Sequence, residues 1–198
     1  DSAAAVAAEA AADRRIAVIG MAGRFPGADD LDAYWRLITS GERAVRTFTA
    51  EELAAAGVSE AERARPDHLP VGGALEGVDL FDAAFFGISA REARTIEPQQ
   101  RLLLEICHQA LEDGGYARPL RDTPVGVYAA TGMSLHALQT YLLNNLVPTQ
   151  DRTDPVDALQ LAIGNQADFA ASRVAYRLGL HGPAIGVQTA CSSALVAV

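Results

Sequence analysis

The chain has 198 residues, 49% of them hydrophobic, with a mean hydropathy of +0.09 and a formal charge of -9. That length suits one compact core, and the apolar fraction excludes a disordered or acidic activation segment. With 25 acidic residues against 16 basic ones, every one of them Arg, a general nucleic-acid binder is excluded, because neutralising phosphates needs a basic face.

No run reaches the length of a membrane span and no charged region precedes an apolar one, so no membrane partner and a cytoplasmic location are expected. Cys107 and Cys191 are too few for a disulfide scaffold and are expected to be reduced. Residues 1–14 are Ala-rich and predict a helical linker, with the domain proper spanning 15–198. Arg15 to Gly20 is a short β-branched apolar run, expected to be a buried parallel strand. After a Gly/Pro-rich loop, Asp29 and Asp30 offer N-caps. Leu31, Tyr34, Trp35 and Ile38 fall at the spacing of a core-facing helix that Gly41 stops. From 42 to 75 the pattern is charged and weakly periodic, with one short helix expected at 50–56 and then a surface loop. Phe81, Phe85 and Phe86 are expected to anchor the next irregular segment in the core.

Pro98 suits the first turn of a helix whose stripe is Leu103, Ile106, Cys107, Ala110 and Leu111, ended by Gly114 and Gly115. Residues 124–130 predict a second strand and 144–156 a loop. Asn165 is expected to cap a helix with Ala167, Ala170, Val174 and Leu178 on one face and Gly179 as its stop. A third strand over 184–190 leads to Cys191 and the start of another helix. Alternating strands and helices imply an α/β layer structure with parallel pairing. The final run, Ala194 to Val198, is apolar and has no stop signal, which is expected of a chain cut inside a larger domain.

The strongest local signal is Thr189-Ala190-Cys191-Ser192-Ser193-Ala194, a strand entering a tight turn that carries Cys, with a helix directly after. A cysteine at a helix N-terminus meets free N–H groups and the positive end of the macrodipole, both of which favour thiolate. The same N–H groups face a developing oxyanion. A thiolate accepts an acyl group from another thioester almost thermoneutrally and keeps its carbonyl open to a carbanion. The alternative is a small buried Cys at a strand–helix junction. Cys107, among Leu and Ile on a helix stripe, reads as core. Gly20-Met21-Ala22-Gly23 lacks the glycine spacing of a dinucleotide loop. His68, His108, His136 and His181 show no metal-ligand spacing, and His108 reads as structural. Arg91, Arg94 and Arg101 beside Glu92, Glu97 and Glu105 read as a solvated, salt-bridged face.

Five segments together resemble the ketosynthase (β-ketoacyl synthase) domain of modular type I polyketide synthases. They are IAVIGMAGRFPGA at 16–28, FDAAFFGISAREA at 81–93, EPQQRLLLEICHQALEDGGY at 97–116, VGVYAATG at 125–132 and GPAIGVQTACSSALVAV at 182–198. The resemblance implies the N-terminal half of a thiolase-like fold, layered αβα and truncated after the nucleophile elbow. It implies a homodimer in which Cys191 accepts an acyl chain from the phosphopantetheine arm of an acyl carrier protein, its backbone N–H forming part of the oxyanion hole. That chain is then condensed, with decarboxylation, with a malonyl-type extender. No cofactor is expected to bind directly and no metal. The implied partners are the carrier protein and the acyltransferase and other domains of the same synthase.

Departures from the common pattern are Gln188 and Glu97 for Asp, His108 for Trp, Ala90 for Pro and Gly23 for Cys. Cys191 argues against loading-type ketosynthases that carry Gln there. Tyr141 to Asn145, with Gln188, look like variants that follow nonribosomal peptide modules. The family's two histidines and lysine, expected downstream of the cysteine, have no counterpart among the four histidines here, all of which precede Cys191. A non-elongating ketosynthase or dimerisation scaffold, and a thiolase-type enzyme using coenzyme A thioesters, are the other readings.

Overall fold

The computed structural model describes residues 16–116, 120, 123–132 and 155–198, the side chains of 155–158 excepted. The lead-in expected over 1–14, His136 and the stretch Tyr141 to Asn145 lie outside the described residues, as does most of the loop expected at 144–156.

Eight α-helices and four short strands run in chain order among the described residues. They are α1 (Leu31–Ser40), β1 (Arg46–Thr47), α2 (Ala50–Ala55), α3 (Glu60–Arg63), β2 (Val71–Gly72), α4 (Ala90–Thr95), α5 (Pro98–Asp113), β3 (Val127–Ala129), α6 (Pro155–Asn165), α7 (Phe169–Leu178), β4 (Ala184–Gly186) and α8 (Ser193–Ala197). β1 and β2 form a small antiparallel pair, with Arg46 opposite Gly72. β3 and β4 pair in parallel, with Val127 opposite Ala184 and Ala129 opposite Gly186. A parallel pair needs a long crossover, and here it runs through α6 and α7. That is the α/β arrangement expected from the alternation of strands and helices.

Strand periodicity decides what the parallel pair covers. Val127 and Ala129 point into the core while Tyr128 between them is half exposed. α7 packs on both strands and against α5. Its buried face is Ala170, Ala171, Val174 and Ala175, small side chains that let the helix lie close to the sheet. Ile96, Leu104 and Val174 are sealed at the centre, joined by Phe86, Ile88, Ala93 and Leu180.

Several sequence expectations hold. Asp30 caps α1, accepting from the Ala33 N–H at 2.7 Å, and Gly41 closes it with φ 72°. Pro98 opens α5 and Gly114 ends it. Gly179 stops α7 with φ 65°, the left-handed conformation that glycine adopts without a steric penalty.

Others are corrected. The run at 16–20 forms no strand. It passes the C-terminal end of α5, where the Met21 N–H donates to Asp113 Oδ2 at 2.8 Å. Gly20 permits this approach, since any Cβ there would collide with the Ala110 carbonyl oxygen and stand 2.7 Å from the Gly114 nitrogen. An apolar cleft of about 300 Å³, lined by Ile19, Cys107, Leu111, Val127 and Tyr128, separates the run from β3 and takes the place of a ladder. Ile16, Val18 and Ile19 are exposed.

The α1 stripe is amphipathic, but it buries no residue, and Trp35 is 66% exposed. Between 42 and 75 there are two helices and two strands instead of one helix and a loop. Of the three Phe, only Phe86 is buried. Phe81 is partly so, stacked on Phe86 at 5.4 Å, and Phe85 is exposed with its ring edge-on to Phe86. Pro155–Asn165 is helical where a loop was expected until 156. Asn165 therefore ends α6 and does not cap α7, and Asp168 stands at that position. Asn165 instead uses its side-chain amide to bond the Thr95 and Leu161 carbonyls, each at 2.7 Å.

Candidate active site

The third strand ends early. Only Ala184–Gly186 pairs as strand, and the ladder extends one bond further through the Val187 N–H to the Ala129 carbonyl at 2.8 Å. The chain then turns at Thr189 (φ -130°), passes through Ala190 at φ 55°, and enters a short 3₁₀ turn, Ala190–Ser192, that feeds α8. Ala190 is the one non-glycine residue in the left-handed region among the described residues. That conformation costs an L-residue roughly 1–2 kcal/mol and persists only where neighbouring contacts hold it.

Three side chains of the elbow supply such contacts. The Ser193 hydroxyl accepts from the Thr189 N–H at 2.8 Å and donates to the Ala190 carbonyl at 2.8 Å. The Ser192 hydroxyl donates to the Thr189 carbonyl at 2.8 Å and lies 3.0 Å from Thr189 Oγ1. Ser193 is buried, and Cys191 between the two locked flanks is exposed. The alternative of a buried filler at the strand–helix junction therefore does not describe Cys191.

Cys107 is the contrasting case. It is a free thiol within the α5 stripe, and burial pushes it up to about 11. The two cysteines have opposite surroundings, one held neutral among Leu and Val side chains, the other displayed on a turn.

The ionic groups are arranged differently from the expected solvated face. Glu92 of α4 is taken from across the fold by Arg173 at 3.2 Å and Arg177 at 3.1 Å, both on α7. Arg173 is buried, and burial pulls its guanidinium below the usual Arg range. Its Nε donates to Gln100 Oε1 at 3.0 Å and a terminal nitrogen donates to the Ile163 carbonyl at 3.2 Å. One side chain thus ties α4, α5, α6 and α7. Glu97 caps α5, Glu105 pairs with Arg24 at 3.6 Å, and Arg101 reaches the Val78 carbonyl. This network was missed because local spacing cannot show partners 73 and 81 residues apart.

His108 is structural, as expected. Its ring stands edge-on to Phe85 at 4.9 Å and its Nδ1 lies 3.3 Å from Glu112 Oε2. No group of His, Cys, Asp and Glu among the described residues could hold a metal ion. No helix among them is long and apolar enough to cross a membrane.

Comparison with known proteins places the elbow in a family. The model of the β-ketoacyl synthase N-terminal domain matches residues 13–198. The chain belongs to the β-ketoacyl synthase family. It is 42% identical over 193 residues to a phenolphthiocerol/phthiocerol polyketide synthase protein of Mycobacterium tuberculosis, covering 94% of this chain and 13% of that protein. Polyketide synthase ThaG of Burkholderia thailandensis is 40% identical over 200 residues, covering 100% of this chain and 3% of ThaG.

Among solved structures, ketosynthase twelve of the bacillaene polyketide synthase of Bacillus amyloliquefaciens superposes with a TM-score of 0.74 at 32% identity. The match covers 91% of this chain and 30% of that one. An oxazolomycin ketosynthase domain of Streptomyces albus gives a TM-score of 0.69 at 30% identity over the same shares. The fold is the thiolase-like α/β fold of these ketosynthases. The chain spans a minor part of the length of every one of these relatives.

Proposed function

We propose that this chain carries the acyl-accepting part of a polyketide synthase ketosynthase, with Cys191 as the nucleophile. The observation that supports this best is the placement of an exposed thiol on a strained, hydroxyl-locked turn between a parallel strand and a helix. The locks fix the backbone around Cys191. Pre-set geometry of that kind removes much of the orientational entropy from the attack.

In the proposed step, the Cys191 thiolate attacks the carbonyl carbon of an acyl thioester on the phosphopantetheine arm of a carrier protein. The tetrahedral oxyanion is met by backbone N–H groups of the elbow. It collapses with cleavage of the bond between carbon and the pantetheine sulfur, and the departing thiolate recovers the proton that Cys191 gave up. One C–S bond replaces another, so the transfer needs no external energy source. A malonyl-type extender on a carrier protein then loses CO₂, and its carbanion attacks the Cys191 acyl carbonyl. The new C–C bond forms as the Cys191 thiolate is released. His108 and His181 do not serve that second step, since His108 is packed on Phe85 and His181 precedes β4, at the end of the strand away from Cys191. Groups elsewhere in the full-length protein supply decarboxylation.

The partners in this reading are the acyl carrier protein, the acyltransferase and other domains of the same synthase, and a second copy of the ketosynthase. The phosphopantetheine arm is a substrate carrier, and no resident cofactor is required. The test is to incubate the full-length protein with an acyl-pantetheine thioester and map the adduct by mass spectrometry. An acyl group on Cys191, absent in Cys191→Ala, is the expected result. An unmodified Cys191, with Cys191→Ala retaining full condensing activity, overturns the reading. A strict requirement for coenzyme A thioesters over carrier-bound ones reassigns the chemistry to thiolase-type condensation.

A further inference from the structure

The hydroxyl locks described above hold Thr189 and Ala190 and reach no further back along the chain. On the N-terminal side the last ladder bond is made by Val187, and Gln188 lies between that bond and the left-handed turn. The Gln188 side chain fills this gap. Its Nε2 donates to the Thr131 carbonyl at 3.2 Å and reaches Thr131 Oγ1 at 3.4 Å. Thr131 and Gly132 lie beyond the end of β3 and have no strand pairing of their own. They are held by a second glutamine, Gln99 in the first turn of α5. The Gly132 N–H donates to Gln99 Oε1 at 2.8 Å, and Gln99 Nε2 donates to the Gly132 carbonyl at 3.1 Å. One amide therefore satisfies both backbone groups of one residue, the closest match a side chain makes to a strand partner.

The Gln99 amide is itself oriented, because Nε2 also donates to Glu97 Oε1 at 3.0 Å and Glu97 caps α5. The root of the helix is fixed in turn by Gln100, whose Nε2 donates to the Gln166 carbonyl at 3.0 Å. Hydrogen bonds from Gln99 to Gly132 and from Gln188 to the adjacent Thr131 thus connect the N-terminus of α5, across one peptide bond, to the residue before Thr189 of the elbow. Gly132 lets the amide approach closely, for a Cβ there would stand 3.2 Å from Gln99 Oε1 and press on it.

We infer that Gln99 and Gln188 are positioning residues for Cys191, acting together through the Thr131-Gly132 turn to set the angle at which the elbow presents its thiol. The inference rests on the acyl-transfer reading of Cys191. Neither glutamine touches the acyl group, and both hydrogen bonds lie at the exposed rim, so the clamp adds little to overall stability. Its effect falls on geometry, where a small misplacement of a reacting atom costs far more in rate than in folding.

The test measures single-turnover transfer from an acyl-pantetheine thioester to Cys191 in the full-length protein, over a range of donor concentrations. Gln99→Leu and Gln188→Leu are each expected to lower the limiting acylation rate about tenfold while leaving the half-saturating donor concentration within about twofold. Because both act on one turn, the double variant falls short of the product of the two losses. Gln99→Asn keeps the amide donor and acceptor without a charge beside Glu97 and recovers part of the rate. Modification of Cys191 by a small aromatic disulfide, which needs no aligned carbonyl, stays at the wild-type rate in all variants.

Wild-type acylation rates in both Leu variants overturn the inference while leaving the acyl-transfer reading intact. So does a loss that appears equally in disulfide modification and is not relieved by Gln99→Asn, since that describes general disruption. An absence of any adduct on Cys191 of the unaltered protein removes the acyl-transfer reading and this inference together.

Discussion

The two cysteines provide a sharp chemical test, because a thiol's environment is read directly by its reactivity. Burial raises Cys107 from an ordinary 9.0 to about 11. At pH 8 an ordinary thiol of that kind is about one-tenth thiolate, whereas Cys107 is about one-thousandth, a hundredfold deficit. The more basic thiolate is the better nucleophile, and a Brønsted coefficient of about 0.4–0.5 over two units returns just under tenfold. The net effect is a slowing of about tenfold before the Leu and Val side chains around Cys107 obstruct the reagent at all.

The assay treats the full-length protein with a small aromatic disulfide at pH 8, native and denatured, and digests it with trypsin. The peptides are separable because cleavage after Arg101 and Arg177 puts the two cysteines on different fragments, starting at Leu102 and Leu178. Cys107 is expected to react at least about tenfold more slowly native than denatured, and Cys191 at no less than its denatured rate. Equal native and denatured rates at Cys107 would refute the reasoning from burial. The sign for stability follows from the same shift. Above pH 9 the unfolded chain loses this proton first, so stability falls as pH rises from about 9 to 11, by roughly 3 kcal/mol in total.

Three further perturbations test the frame around the site. Arg173→Met removes bonds to Glu92, Gln100 and Ile163 at once and is expected to destabilise by about 3 kcal/mol, read as a lower urea midpoint; Arg173→Lys does not restore it, as an ammonium cannot span the three acceptors. Gly20→Val forces the 16–24 segment off the end of α5, and rapid hydrogen exchange at the Met21 amide is the expected readout; unchanged protection there sinks the close-approach argument. Residues 1–198 expressed alone are expected to bind a hydrophobic dye such as ANS strongly, because Ile16, Val18, Ile19, Tyr128 and Ile185 all lie exposed on or near the sheet.

What could be read from the sequence was local. The caps at Asp30 and Gly179, Pro98 at the start of α5, and the turn carrying Cys191 all depend on residues within one or two turns of each other, where physical preferences act strongly. Parallel pairing followed from the alternation of strands and helices, although β4 proved three residues long and not seven because the chain must bend before Thr189. The errors arose where distant partners decide. Periodicity placed α1 facing the core, but an amphipathic pattern records only a capacity for burial, and Trp35 stays largely exposed. Leu104 and Gln100, the buried positions of α5, were left out of the stripe because Gln100 is polar and its partner, Arg173, lies 73 residues on. Gln99 and Gln188 gave no signal as a clamp, since neither residue type marks a site and their shared target is backbone. The Thr131 carbonyl that Gln188 holds is 57 residues from it in sequence.

That separation also sets an order of assembly. A parallel pair cannot nucleate from a tight turn, so β4 has no partner until the chain between has folded back over the sheet. The helix Pro98–Asp113 needs only neighbours a turn away. In a refolding experiment with pulsed hydrogen exchange, the interior amides of that helix are expected to gain protection before Val127 and Val187, whose N–H groups bond the Pro183 and Ala129 carbonyls. The turn that displays Cys191 is thus set in place after the helix that carries Cys107, and the apolar cover of Cys107 from Val127 and Val174 arrives with the same late packing of the sheet.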